Sequence, residues 1–156
     1  MLQRRFSFVS IVGVAIALVM SCCFALWPLG QPIAAVPLAK RDPIVVKVQL
    51  GNEAGELKFF PDHLQFQAGK RYLLSLQNPS PSKHYFTAKD FADGIWSQKV
   101  DAGNVEVKGA IHELELRSGT QADWVFVPMR AGTYTLRCTV PGHTEAGMVG
   151  TLEIMG

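Results

Sequence analysis

The sequence has few cysteines, and their placement limits what they can do. Of the three cysteines in 156 residues, Cys22 and Cys23 lie in an apolar stretch near the N-terminus, so Cys138 is the single thiol of the remaining chain. An intramolecular disulfide is therefore excluded there. A single thiol in an oxidising compartment needs another role, and metal ligation is one such role.

The chain also lacks a net charge once its first residues are set aside. Lys and Arg total 15, of which Arg4 and Arg5 precede the apolar stretch, and the 13 that remain balance the 13 Asp and Glu. Nucleic-acid-binding domains normally carry a basic excess. The sequence therefore predicts no nucleic-acid partner.

Charge is absent altogether between Phe6 and Ala39. Within this stretch, residues 8–29 are long and apolar enough to cross a bilayer as a helix. The basic pair Arg4-Arg5 would keep the N-terminus on the cytoplasmic side. We therefore predict an exported protein of the periplasm or an equivalent extracytoplasmic compartment, with possible membrane attachment through residues 8–29.

This pattern divides the chain into three parts. Residues 1–30 are predicted to be a signal peptide or an N-terminal membrane anchor, residues 31–42 a linker, and residues 43–156 the functional domain. Cleavage near Ala35, retention as an anchor and lipidation at Cys22 all remain open, and all three export the domain.

The domain shows no convincing pattern of an amphipathic helix, whereas alternation with a period of two recurs along it. Val48 and Leu50 alternate with polar residues, as do Tyr134 and Leu136. About seven or eight short strands separated by turn residues predict an all-β antiparallel sandwich. The same alternation predicts that Cys138 lies on the core face with Tyr134 and Leu136.

One loop near the C-terminus combines three side chains suited to copper. Cys138, His143 and Met148 are each separated by four residues, and Pro141 with Gly142 supplies the turn that folds the loop back. A thiolate, an imidazole and a weak thioether together suit copper that alternates between Cu(II) and Cu(I). The loop therefore predicts a redox-active copper site.

Such a site needs a second imidazole, and the sequence offers three candidates. His84 follows a proline-rich turn that begins at Asn78 and would be held rigidly at one end of a sandwich. His63 lies in a turn and is predicted to be solvated. His112 shares the alternation of a strand and is predicted to be a core or edge histidine. We therefore favour His84.

With these residues assembled, the domain resembles the cupredoxins, the family of small blue copper proteins such as plastocyanin and azurin. The resemblance covers most of residues 40–156. It is carried by the turn from Asn78 to His84, the strand Gly132-Thr-Tyr-Thr-Leu-Arg-Cys138, the turn Pro141-Gly-His143 and the close Gly147-Met-Val-Gly150.

The resemblance implies a Greek-key antiparallel β-sandwich of eight strands that holds one copper ion in a type 1 site. The implied metal ligands are His84, Cys138, His143 and Met148. Many cupredoxins have an asparagine directly after the first histidine, where its side chain ties the two ligand loops together, but this chain has Tyr85. The segment 89–104 has no counterpart that we can align. We expect its aromatic residues to pack in the core, and a partner-docking surface is the alternative.

These observations predict a one-electron carrier between redox proteins, and not an enzyme, because a type 1 site leaves no open position for a substrate. Docking is predicted near His143. The alternatives are a periplasmic copper chaperone, storage or resistance protein, and a copper domain that assists a membrane complex.

Overall fold

Short alternating segments build eleven strands in the part of the chain that the computed structural model describes, residues 36–156. The strands are β1 (Ile44–Leu50), β2 (Phe59–Phe60), β3 (His63–Gln67), β4 (Tyr72–Gln77), β5 (His84–Thr87), β6 (Ile95–Ala102), β7 (Val105–Val107), β8 (Glu113–Leu116), β9 (Gln121–Pro128), β10 (Gly132–Arg137) and β11 (Val149–Met155). Within residues 36–156, the helical structure is one 3-10 turn, Leu38–Lys40, and one helix, α1 (Lys89–Ala92).

The predicted export segment lies outside the described residues, as does the first part of the predicted linker. Residues 36–156 form one unit with its own core. Within them, no helix is long and apolar enough to span a membrane.

The strands form two sheets, as the predicted sandwich requires. One has the order β2-β1-β4-β9-β6-β7 and the other the order β3-β11-β10-β5-β8. The prediction of an antiparallel sandwich holds for the other strand pairs but is wrong at two places, because β1 pairs with β4 and β3 pairs with β11 in parallel. In both cases the chain crosses through the other sheet before it returns, and such a crossover allows parallel neighbours.

The core lies between the sheets and is rich in aromatic rings. Phe126 of β9 contacts Phe66 of β3 and Phe91 of α1, with ring centroids 5.4 Å apart in both pairs. The expectation that the aromatics of segment 89–104 pack in the core holds for Phe91, which is fully buried, but not for Trp96, which is 47% exposed.

Candidate metal centre

The ends of three strands meet at one end of the sandwich and position the predicted ligands. His84 begins β5, Cys138 directly follows β10, and Met148 directly precedes β11. Because β10 and β11 are antiparallel neighbours, the residues from Cys138 to Met148 form the loop of a hairpin. The backbone N–H of Cys138 donates to the Met148 carbonyl at 3.1 Å, and that of Met148 donates to the His143 carbonyl at 2.9 Å. The loop is thus closed on itself.

Three donor atoms converge at this end. The Sγ atom of Cys138 lies 3.5 Å from Nδ1 of His143 and 3.8 Å from Nδ1 of His84, and the two Nδ1 atoms are 3.2 Å apart. Nitrogen and sulfur ligands at about 2.0 and 2.3 Å from one ion, at angles of about 100–120°, would be separated by about 3.1–3.7 Å. Two of the three separations lie within this range and the third, 3.8 Å, lies about 0.1 Å beyond it, so the donors are spaced closely enough to share a single first-row metal ion.

Burial separates these donors from water. His84, Cys138 and Met148 are fully buried, whereas His143 is half-buried. Burial, followed by the proximity of His143, lowers the pKa of His84 below its usual value. Its ring is therefore neutral at physiological pH, so that a ring nitrogen has a lone pair for a metal.

A backbone donor contacts the thiol, whereas one ring nitrogen of the buried imidazole has no partner. The N–H of Tyr85 donates to Sγ of Cys138 at 3.3 Å, and such a donor stabilises negative charge on sulfur. Nε2 of His84 is buried and has no hydrogen-bond partner among the described residues. Nδ1 of His84 faces the other two donors, so the ring is oriented for ligation through Nδ1, and Nε2 would then carry the hydrogen.

Gly51, at the end of β1, forms part of the wall behind His84. An added Cβ at this position would lie 2.9 Å from Nε2 of His84 and 2.9 Å from Cβ of Ser80. The backbone of Gly51 also has a φ of +73°, which side chains rarely adopt. Sequence reasoning missed this residue, because only the packing shows that it touches the imidazole.

The two ligand segments are connected although Tyr85 occupies the position where asparagine is usual. The hydroxyl of Thr87 on β5 lies 3.1 Å from that of Thr139, which follows Cys138. Both hydroxyls donate to the same carboxylate oxygen of Glu113, at 2.7 Å. The side chain of Tyr85 instead hydrogen-bonds to Glu115 on the neighbouring strand. The connection between the loops thus uses threonines that the sequence analysis did not single out.

Two more side chains stabilise the ligand segments by donating hydrogen bonds to backbone carbonyls. Thr144 donates from its hydroxyl to the carbonyl of Cys138 at 2.6 Å. Asn78 is buried and donates to the carbonyls of Ser82 and Leu116, both at 2.8 Å. Leu116 is the β8 partner of His84, so Asn78 holds the turn that leads to His84. The Asn-Pro-Ser-Pro sequence, typical of such turns, could have indicated Asn78.

The other two histidines lie away from the cluster. His63 is exposed and lies 3.7 Å from a carboxylate oxygen of Glu153. His112 contacts Asp93 at 2.7 Å through Nε2, is also exposed and directly precedes β8, so it does not lie in the core.

One end of this β-sandwich brings together His84, Cys138, His143 and Met148. This arrangement defines the class of type 1 copper domains. The family model of copper binding proteins of the plastocyanin/azurin family matches residues 46–155, and this chain belongs to that family. One copper ion is therefore the metal that the site holds.

Individual relatives agree with this assignment. Plastocyanin of Dryopteris crassirhizoma is 29% identical over 108 residues, which cover 69% of this chain and 98% of that protein. The solved structure of auracyanin B is 23% identical with a TM-score of 0.53, and the match covers 74% of this chain and 92% of that one. A multicopper oxidase from Campylobacter jejuni is 12% identical with a TM-score of 0.54, over 73% of this chain and 30% of the oxidase. These two structural likenesses show the fold alone.

Proposed function

We propose that this protein is an exported carrier of single electrons, with His84, Cys138, His143 and Met148 as the ligands of its copper. The observation that supports the proposal most is the convergence of Sγ and two Nδ1 atoms within 3.8 Å in a largely buried position. Copper held by these donors alternates between Cu(II) and Cu(I), accepting one electron from a reduced protein and giving it to an oxidised one.

The residues around the site favour this role because they hold the donors in place. The loop that carries Cys138 and Met148 is closed by backbone hydrogen bonds at 2.9 and 3.1 Å. Asn78 and Thr144 fix the adjoining carbonyls. Fast electron transfer needs a low reorganisation energy. Donors held in place by such a frame keep that energy low, because they move little when the charge of the metal changes.

Electron transfer without catalysis is supported by how the site is enclosed. Three of the four proposed ligands are fully buried, and only His143 is partly accessible. A substrate would need an open coordination position. Within residues 36–156, this cluster is accompanied by no second group of metal-binding side chains.

We further propose that redox proteins dock where His143 reaches the surface. The loop around it presents Pro141, Ala146 and Gly147, which are exposed, and Val140, which is half-buried. Small, weak contacts of roughly less than 1,200 Å² are typical of redox encounters.

Export to an extracytoplasmic compartment is proposed from the apolar residues 8–29.

The test is the visible spectrum of the Cu(II)-loaded protein together with its redox titration. We expect an intense blue or green band, because a short Cu(II)–thiolate bond gives strong charge transfer, and a reversible one-electron wave. Cys138→Ser should abolish the band. The matched control, Cys22→Ser with Cys23→Ser, should retain it. A coloured Cys138→Ser variant would contradict the site, and rapid loss of copper to a chelator would instead indicate a copper-delivery protein.

A further inference from the structure

The six-stranded sheet carries apolar side chains on its outer face as well as on its core face. In β9, Trp124 and Phe126 belong to the core, so Val125 and Val127 face the opposite side. The strand register shows that these outward-facing apolar side chains have apolar neighbours on the adjacent strands. Val125 lies opposite Leu73, Leu73 lies opposite Val45, and Val127 lies opposite Trp96. These five residues, Val45, Leu73, Trp96, Val125 and Val127, are called the outer patch below.

The outer patch has a buried floor and an exposed rim. Val125 and Val127 are 3% and 0% exposed, whereas Trp96 is 47% and Val45 is 56% exposed. A tryptophan exposed beside aliphatic side chains is typical of surfaces that meet the interface of a lipid bilayer. The rim is therefore the part of the patch that is available to a partner.

Unpaired cations surround this rim. Lys40, Arg41 and Lys47 are exposed, and Arg71, which precedes β4, is half-buried. Among residues 36–156, none of these four forms a salt bridge. By contrast, Lys99 on β6 is paired with two carboxylates. Asp42, next to Arg41, and Asp123, on the outer face of β9, offset part of this charge, so the four cations leave an excess of two positive charges around the rim.

The hydrogen bonds of Arg71 link the segment before β1 to β6, the strand that carries Trp96. Arg71 donates from Nη1 to the carbonyl of Arg41 at 2.7 Å and from Nε to Oε1 of Gln98 at 3.0 Å. Gln98 lies two residues after Trp96, and Arg41 donates back to the carbonyl of Val36 at 3.2 Å. The segment that enters the domain from the N-terminal side therefore lies at the edge of the outer patch.

We propose that the outer patch is a docking surface for an anionic phospholipid bilayer. Its cations complement acidic headgroups, and Trp96 suits the interfacial layer. In sequence, the apolar residues 8–29 precede the segment at the edge of the outer patch. If residues 8–29 anchor the protein, they would therefore keep the outer patch close to the membrane. A second copy of this chain fits less well, since a symmetric contact would bring Lys40, Arg41 and Lys47 of two molecules together.

This orientation would leave the copper site free. The outer patch adjoins the N-terminal end of β4, whereas the C-terminal end of β4 leads to Asn78 and the ligand segments. Six residues of strand span about 20 Å. A domain docked through the patch would thus keep His143 accessible to redox proteins.

The test uses the full-length chain with Trp27→Phe, so that tryptophan emission comes from Trp96 and the buried Trp124. Emission is compared between vesicles with and without dibrominated acyl chains, made of phosphatidylcholine alone or with one quarter phosphatidylglycerol. We expect bromine quenching with phosphatidylglycerol at low ionic strength, little quenching with phosphatidylcholine alone, and none after the further change Trp96→Phe.

The charge requirement is tested with two matched double variants. Lys40→Gln with Arg41→Gln should lower the ratio of docked to undocked protein about 25-fold, at about fivefold per charge removed. Lys58→Gln with Lys108→Gln removes the same charge outside the patch and should change nothing. Equal quenching in both vesicle types, absence of Trp96 quenching, or shielding of Trp96 that depends on protein concentration without lipid would each overturn the proposal. The colour of the copper site tests the proposed function separately.

Discussion

Replacing Gly51 with alanine should disturb the copper site, although Gly51 offers no ligand. The new Cβ would lie 2.9 Å from Nε2 of His84 and 2.9 Å from Cβ of Ser80. The Ser80 atom is attached directly to the backbone of a buried turn and cannot rotate away. The imidazole is therefore the group that must move, which would displace its Nδ1 relative to Sγ of Cys138.

The magnitude follows from two contributions. Alanine in the left-handed region, where Gly51 has a φ of +73°, costs about 1–2 kcal/mol. Overpacking of a filled site adds about 1–3 kcal/mol. Gly119 has the same φ, and an added Cβ there would meet nothing within 4 Å. The variant Gly119→Ala therefore carries the first contribution without the second.

The assay compares the two variants by thermal unfolding of the metal-free proteins and by the visible spectrum with Cu(II). At about 4 °C per kcal/mol for a domain of this size, Gly51→Ala should unfold about 4–12 °C below Gly119→Ala. Its charge-transfer band should shift or weaken, while that of Gly119→Ala stays unchanged. Identical melting temperatures and identical spectra would refute the argument that Gly51 positions His84.

Three further outcomes are expected. His143→Gly should open the site to water, and added imidazole should restore a strong visible band; no spectral response to imidazole would mean that His143 is not a ligand. Met148→Leu should retain copper and raise the reduction potential, because loss of a weak electron donor disfavours Cu(II) more than Cu(I), and a large fall in potential would show that Met148 only packs the loop. Val140→Lys or Ala146→Lys should slow electron exchange with the partner without altering the spectrum, and exchange in the unchanged protein should vary little with ionic strength. A steep salt dependence would place docking on a charged surface instead.

Much of the site could be predicted because three of its side chains are local in sequence. Cys138, His143 and Met148 lie on one loop, and their chemistry and spacing alone indicate copper. His84 comes from a distant strand, and it was favoured because the turn before it is rigid and the other histidines suit strands or solvent. The partner of Cys138 on the backbone, the N–H of Tyr85, leaves no signal, since any residue other than proline could supply it.

The fold could be predicted as a sandwich, but its strand pairing could not. Alternation determines which face of a strand is buried and says nothing about which strand lies beside it, so the parallel pairs β1–β4 and β3–β11 were missed. β9 shows a related limit. Its run Trp124-Val-Phe-Val127 is apolar on both faces, and the meaning of the outward valines emerged only when the register placed them beside Trp96.

The hairpin position of the ligand loop has a consequence for how such sites diversify. The antiparallel pairing of β10 with β11 ends at Arg137 and Val149, and the next two residues, Cys138 and Met148, are still joined by a hydrogen bond of 3.1 Å. The first and last proposed ligands of the loop are therefore fixed by the sheet. The residues between them form an insertion whose length and composition can change while both ends stay in place. Evolution, or a designer, can then alter the partner surface and the immediate setting of His143 by exchanging one short segment, without rebuilding the sandwich that holds the metal.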